Sequence, residues 1–203
     1  MWSGTNKQTQ CERPATIISF VFNAPFVAGY AFIILFISGR YGHRLTPFAV
    51  SLLFSAVIPF MSLYLLARSG ATSGIDVPER ESRLLPFAMA MAGYSAGSLL
   101  LLIMHAPVLL TAFMLCYLVN TAVMTLISLT WKISIHATGI AGPAVILFYA
   151  LGVASLPFLL LVIPVAWARI SLKAHTAMQV VAGFTVTPVI TYIQLLVYVS
   201  LLH

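Results

Sequence analysis

The sequence predicts an all-α fold, a polytopic bundle of six to seven transmembrane helices, and three observations predict it. Of the 203 residues 61% are apolar and 7% charged, with a mean hydropathy of +1.04; soluble domains run nearer half apolar and a quarter charged. Six or seven stretches approach the roughly 20 apolar residues that cross a hydrocarbon core. Polar stretches are confined to residues 1–14, 39–44 and 68–83, and the short apolar–polar alternation of a barrel is absent from the sequence.

Taken in order, residues 1–14 read as a polar N-terminal tail carrying Lys7, Glu12 and Arg13. The apolar run that follows is too long for a signal-peptide core, so it reads as a retained first span, and residues 15–203 read as a single transmembrane helical domain. Helices are expected at about 15–38, 46–67, 84–104, 107–130, 137–152, 154–171 and 175–201. The fifth and sixth are short, split near Gly152 and Pro157, and suggest a shallow or tilted hairpin. Pro25, Pro164 and Pro188 fall inside spans, where neighbouring helices absorb kinks. Pro86 fits the first turn of its span. Repeats of the transporter kind are not evident. Two cysteines, Cys11 and Cys116, are too few for a disulfide framework or a metal site.

Counting crossings assigns the cations to sides. With the N-terminus on side A, the chain returns there at residues 68–83, at Lys132 to His136 and at Arg169 to His175. Eight of the ten Lys and Arg residues lie on side A: Lys7, Arg13, Arg68, Arg80, Arg83, Lys132, Arg169 and Lys173. Arg40 and Arg44 lie on side B. Three loops thus deliver cations and two histidines, His136 and His175, to one membrane face, as a site for a polyanion requires. The net charge of +6 is spread over many loops, so no nucleic-acid partner is expected. His43, His105 and His203 fall away from side A and are excluded.

Three clusters carry chemistry. In Asp76 to Pro86, Arg80 and Arg83 are three apart and would share a helix face, a pairing suited to forked binding of phosphate oxygens. The alternative is a solvated loop in which Asp76, Glu79 and Glu81 pair locally with the arginines. In Trp131 to Gly139, an extended chain would put Lys132, Ser134 and His136 on one side; the alternative is an interfacial helix end with Lys132 snorkelling. In Arg169 to Gln179, Arg169 and Lys173 would share a helix face, and the Gln179 amide lies one turn beyond His175, where it can hold the ring for nucleophilic attack. The alternative reading makes these ordinary flanking cations and an interfacial imidazole. Carboxylates are not paired for a metal and Gly-rich phosphate loops are absent from the sequence, so no metal and no cofactor are expected.

The pattern resembles the type 2 phosphatidic acid phosphatase family, relatives of the vanadium haloperoxidases. Arg169, five residues, His175, three residues and position 179 keep the spacing of the family's third block, and Val180 and Gly183 continue it. Ser134 and His136 match the second block, with Lys132 and Ile135 where the family has Pro and Gly. Arg80, Arg83 and Pro86 supply the residue types of the first block without its register. The resemblance covers roughly residues 76–190 and points to a divergent bacterial branch with Lys-x-Ser-x-His and a terminal Gln. It implies a metal-independent phosphatase of a bacterial inner membrane, acting on a lipid phosphate or diphosphate. Arg169, Lys132 and Arg80 or Arg83 would bind the phosphate, with Ser134 completing the cradle. His175 would attack phosphorus to form a phosphohistidine, His136 would protonate the leaving oxygen and then activate water, and Gln179 would orient His175. Where the family has Asp, Gln179 brings no negative charge. That departure keeps a second expectation open: a catalytically weakened or inactive member that binds anionic lipid or serves as a complex subunit. Membrane lipids are the expected surroundings, and the sequence does not determine an oligomeric state.

Overall fold

A computed structural model describes residues 4–39, 43–77 and 79–202, with side chains from residue 12 onward. Arg40, His203 and the side chains of Lys7 and Cys11 lie outside the described residues. The described chain is all-helical. The expected first helix is two: α1 (Gly4–Val21) and α2 (Ala24–Ile37), with Glu12–Val21 and Ala24–Ile37 bent by 53°. Pro25 explains the break, because its ring pre-sets a helix start and disfavours helical backbone just before it. The stretch expected as a polar tail is helical from Gly4.

Next come α3 (Leu45–Arg68), α4 (Leu84–Ile103) and α5 (Val108–Thr130). Inside α3, Leu53–Val57 is a π-helical turn. Pro59, four residues after Ser55, has no N–H for the Ser55 carbonyl, and widening the turn accommodates the proline. α6 (Ile135–Leu151) ends where Gly152 adopts φ +64°. After short turns at Gly152–Ser155 and Leu156–Leu159 come α7 (Val162–Ser171) and α8 (Ala177–Leu202). Five helices are long and apolar enough to cross a membrane, or six if α1 and α2 form one bent span. The expected helix 154–171 is not a further span: α7 has 10 residues, about 15 Å of rise, because Gly152, Pro157 and Pro164 interrupt the run.

α6 is the central helix. It packs against α2, α5, α7 and α8, and 56% of its span is buried, against 22% for α3. Small residues allow this, since close backbone approach drives helix association in lipid. A Cβ on Gly139 would lie 2.8 Å from the Ala24 Cβ, and one on Gly183 would lie 2.8 Å from the Ala137 Cβ and 3.0 Å from the Ser134 carbonyl oxygen. The second contact seats the start of α8 on the start of α6. Deeper in the bundle, Asn120 donates to Thr191 at 2.8 Å and Gln194 donates to Asn120 at 2.9 Å, joining α5 to α8. Leu99, Ile103, Leu126 and Ile193 point outward, as a lipid-facing surface requires.

Candidate functional site

The start of α8 is a capping box. Thr176 precedes the helix, its hydroxyl accepts from the Gln179 N–H at 3.4 Å, and the Gln179 side-chain oxygen accepts from the Thr176 N–H at 3.1 Å. That same oxygen lies 3.1 Å from His175 Nδ1. A backbone N–H only donates, so the atom it meets is the amide oxygen. His175 Nδ1 must then carry the proton, and Nε2 keeps its lone pair. The orientation of His175 thus follows from a helix cap. Burial drives the imidazole down to about 3, with Arg169 and Arg83 adding to the effect against the opposing bond from Gln179. His175 is therefore neutral at pH 7.

Arg169 lies in the last turn of α7 and is 1% exposed. Its carbonyl accepts from the His175 N–H at 3.2 Å. Its guanidinium donates to Ser19 Oγ and, at 2.6 Å, to Asp76 Oδ2. Ser19 Oγ also donates to that carboxylate at 2.7 Å, and Asn23 Nδ2 reaches Oδ1 at 3.3 Å. His136, on the first turn of α6, brings Nε2 to 3.1 Å from the Ser19 carbonyl, 3.3 Å from Ser19 Oγ and 3.6 Å from Asp76 Oδ1. The carbonyl contact makes Nε2 the protonated nitrogen. Burial opposes the charge of Asp76, but His136, Arg169 and Ser19 outweigh it and hold the carboxyl below its usual range. Arg169 is common to both surroundings: its guanidinium joins the Ser19 and Asp76 group that also meets His136, and its backbone carbonyl accepts from the His175 N–H.

The other expected ligands divide between two spaces. Arg80 and Arg83 do not present one face. Arg83, 3% exposed, turns inward and donates to the carbonyls of Val77 at 3.1 Å and Ile133 at 3.0 Å. Arg80 turns outward to the Thr130 carbonyl at 2.8 Å and to Glu81 at 3.3 Å. The short turn Glu81–Arg83 is a 3₁₀ turn, which keeps residues three apart in line; the pair is parted by its acceptors, buried carbonyls for Arg83 and an outer carbonyl and carboxylate for Arg80. Lys132 and His136 also part. Ile133 and Ser134 are buried, and α6 begins at Ile135, so the extended alternation ends before His136. Lys132 lines an open cleft of about 540 Å³ with Arg80, Trp131 and Gln179. His136, Asp76 and Arg83 line an interior cavity of about 120 Å³ that reaches Tyr117 and Asn120. Burial and the charges of Arg83 and Arg169 push the Lys132 ammonium below its usual range. Ser134 Oγ is buried and unpartnered among the described residues, while its N–H donates to the Gln179 carbonyl at 3.2 Å. Lys173 does not share a helix face with Arg169, because α7 stops at Ser171 and Lys173 has φ +52°.

Local pairing in the loop holds for Glu81 with Arg80, but Asp76 reaches Arg169 instead, 93 residues along the chain. Ser19 and Asn23 were not expected at the site. Their four-residue spacing is a faint signal, hidden by the break between α1 and α2. The chain matches no family model, no curated protein and no solved structure.

Proposed function

We propose that this chain is a metal-independent membrane phosphatase that hydrolyses a lipid phosphate or diphosphate through a phosphohistidine. The observation that carries the reading is His175: neutral, buried, with Nδ1 held by Gln179 and the lone pair left on Nε2, beside the charges of Arg169, Arg83 and Lys132. Fixed cations around an incoming phosphoryl group stabilise its transition state without reorganising. In the proposed reaction His175 Nε2 attacks phosphorus, the bond from phosphorus to the lipid oxygen breaks, and His136 in its imidazolium form protonates that oxygen. Water, deprotonated by His136, then attacks the phosphohistidine and releases phosphate and free His175. The oxygens would be held by Arg169, Ser134 and, from the cleft, Lys132 and Arg80, with Arg83 fixing the loop behind them. An amphiphilic substrate suits a site at the end of a membrane bundle.

The test is phosphate release in chelator from phosphatidic acid, phosphatidylglycerol phosphate and isoprenyl phosphates. Acid quenching should trap label on His175, and His175→Ala should abolish both signals. A well-folded protein that releases phosphate from none of these lipids removes the enzyme claim.

One observation favours the second reading, an inactive member that binds anionic lipid or joins a complex: Asp76 already occupies Arg169, and Ser19 occupies His136. Lipid binding that survives His175→Ala, without turnover in the parent, decides for it.

A further inference from the structure

The donors around Asp76 form an anion cradle, and two of them come from the bend between α1 and α2. Arg169 Nη1, Ser19 Oγ and Asn23 Nδ2 donate to one carboxylate at 2.6, 2.7 and 3.3 Å, and His136 Nε2, its proton on the Ser19 carbonyl, lies 3.6 Å from the same group. All four side chains belong to buried residues. The Asp76 side chain is 33% exposed. The fixed wall is therefore cationic and donor-rich, and the exposed partner is the carboxylate.

The segment that carries it is neither helical nor relaxed. Residues 69–77 form turns and bends between α3 and the Glu81–Arg83 turn. Val77, next to Asp76, has φ +41°. A β-branched residue in that region is a conformational outlier that persists only when its surroundings hold it there. Two contacts do so: the Asp76 ion pair on one side and the bond from Arg83 to the Val77 carbonyl on the other. Arg169 also has unused capacity, since its Nε is buried without a partner among the described residues. A carboxylate offers two oxygens. A phosphoryl dianion offers three, and it meets the unfilled donor as well as those that Asp76 engages.

We infer that Ser19 and Asn23 are anion-binding residues of this chain, and that the Asp76 carboxylate is an internal competitor which a phosphoryl dianion displaces from them. The inference rests on the phosphate-site reading of Arg169 and His136, and it names the regulation of that site. With Asp76 seated, only a fraction of molecules present an open cradle, and the apparent affinity for an external anion falls by that fraction. When the carboxylate leaves, His136 Nε2–H lies beside the incoming anion, so seating and releasing Asp76 gates the acid as well as the ligand.

The experiment uses the full chain in nanodiscs and titrates inorganic phosphate at pH 8 by calorimetry, in a His175→Ala background where turnover plays no part. Asp76→Asn keeps the shape and removes the charge. It should bind phosphate about tenfold more tightly than its parent, and Ser19→Ala or Arg169→Ala added to it should reverse the gain. Equal or weaker binding by Asp76→Asn overturns the inference, as does failure of both proteins to bind phosphate. Hydrogen exchange on the unmutated protein supplies a second readout. Amides 70–77 should exchange faster at saturating phosphate, and slower exchange overturns the displacement. The phosphatase reading is judged separately, by phosphate release from lipid, so either claim can fail while the other stands.

Discussion

Replacing Gln179 by Glu tests the orientation of His175 with little disturbance to the fold. Glutamate at the third position of a helix is the usual partner in a capping box, so the bond to the Thr176 N–H survives. A charge also appears 3.1 Å from Nδ1, where the amide oxygen now stands. Two unit charges about 4 Å apart attract by roughly 4 kcal/mol at an effective dielectric constant near 20, or about 3 pKa units. Position 179 lines the open cleft, and water there screens part of this. The His175 midpoint should rise by roughly 2 units from about 3. The ring stays neutral at pH 7, its Nε2 becomes more basic, and the phosphoimidazolium gains a counter-charge. If half of that stabilisation is expressed in the transition state, kcat rises roughly tenfold. Nitrogen-15 NMR of labelled histidine in detergent reads the midpoint, and phosphate release reads the rate. A midpoint that stays put, with the thermal midpoint of the protein unchanged, would show that Nδ1 does not face position 179 and would refute the tautomer argument.

Three other perturbations follow from the same contacts. Because the folded midpoint of His175 lies near 3 while an unfolded histidine titrates near its ordinary 6.5, acidification from pH 6.5 towards 3 protonates the unfolded chain first. Thermal stability should therefore fall across that window and flatten in His175→Gln; Asp76, held low, adds its own loss below the ordinary carboxyl value of 3.8. A methyl group on Gly183 meets Ala137 and the Ser134 carbonyl, so Gly183→Ala should cost roughly 1–3 kcal/mol and part α8 from α6, whereas Gly74→Ala, with open space around it, should leave the unfolding midpoint unchanged. Arg83→Ala strands two buried carbonyls and should lower stability by about 2–4 kcal/mol, while Arg80→Ala should change it by less than about 1 kcal/mol; equal losses in denaturation would contradict the inward and outward assignment.

What the sequence disclosed depended on range. Periodicity and composition are local, and α3, α4, α5 and α8 fall close to their expected spans because a run of some 20 apolar residues has few alternatives in lipid. The third cluster was legible for the same reason: His175 and Gln179 are one helical turn apart, so their contact needs only that α8 begin near Thr176. Arg80 and Arg83 show where this stops. Their spacing was right for a shared face, and the 3₁₀ turn keeps that register, but the buried Val77 and Ile133 carbonyls draw Arg83 inward while the Thr130 carbonyl holds Arg80 outside. Asp76 was harder still. It is the one aspartate in the chain, set close to Arg80 and Arg83, which offer plausible local partners, and its actual partner lies 93 residues away.

The position of Asp76 has a physical reason that the local reading lacked. Arg169 is nearly inaccessible at the edge of a hydrocarbon region, where leaving a guanidinium without a counter-charge is costly. Some anion must sit near it whenever the site is empty. Glu79 and Glu81 are on the exposed side of their loop and pair with Ser73 and Arg80, so the Asp76 carboxylate is the one within reach. The same requirement makes Asp76 replaceable, because any anion of equal or greater charge that satisfies Arg169, Ser19 and Asn23 relieves the need for it. An empty cradle of buried donors would be unstable, and a permanently filled one would bind nothing. A carboxylate on a strained, irregular segment is a solution to both constraints, and it ties the stability of the ligand-free protein to the group that its ligand must remove.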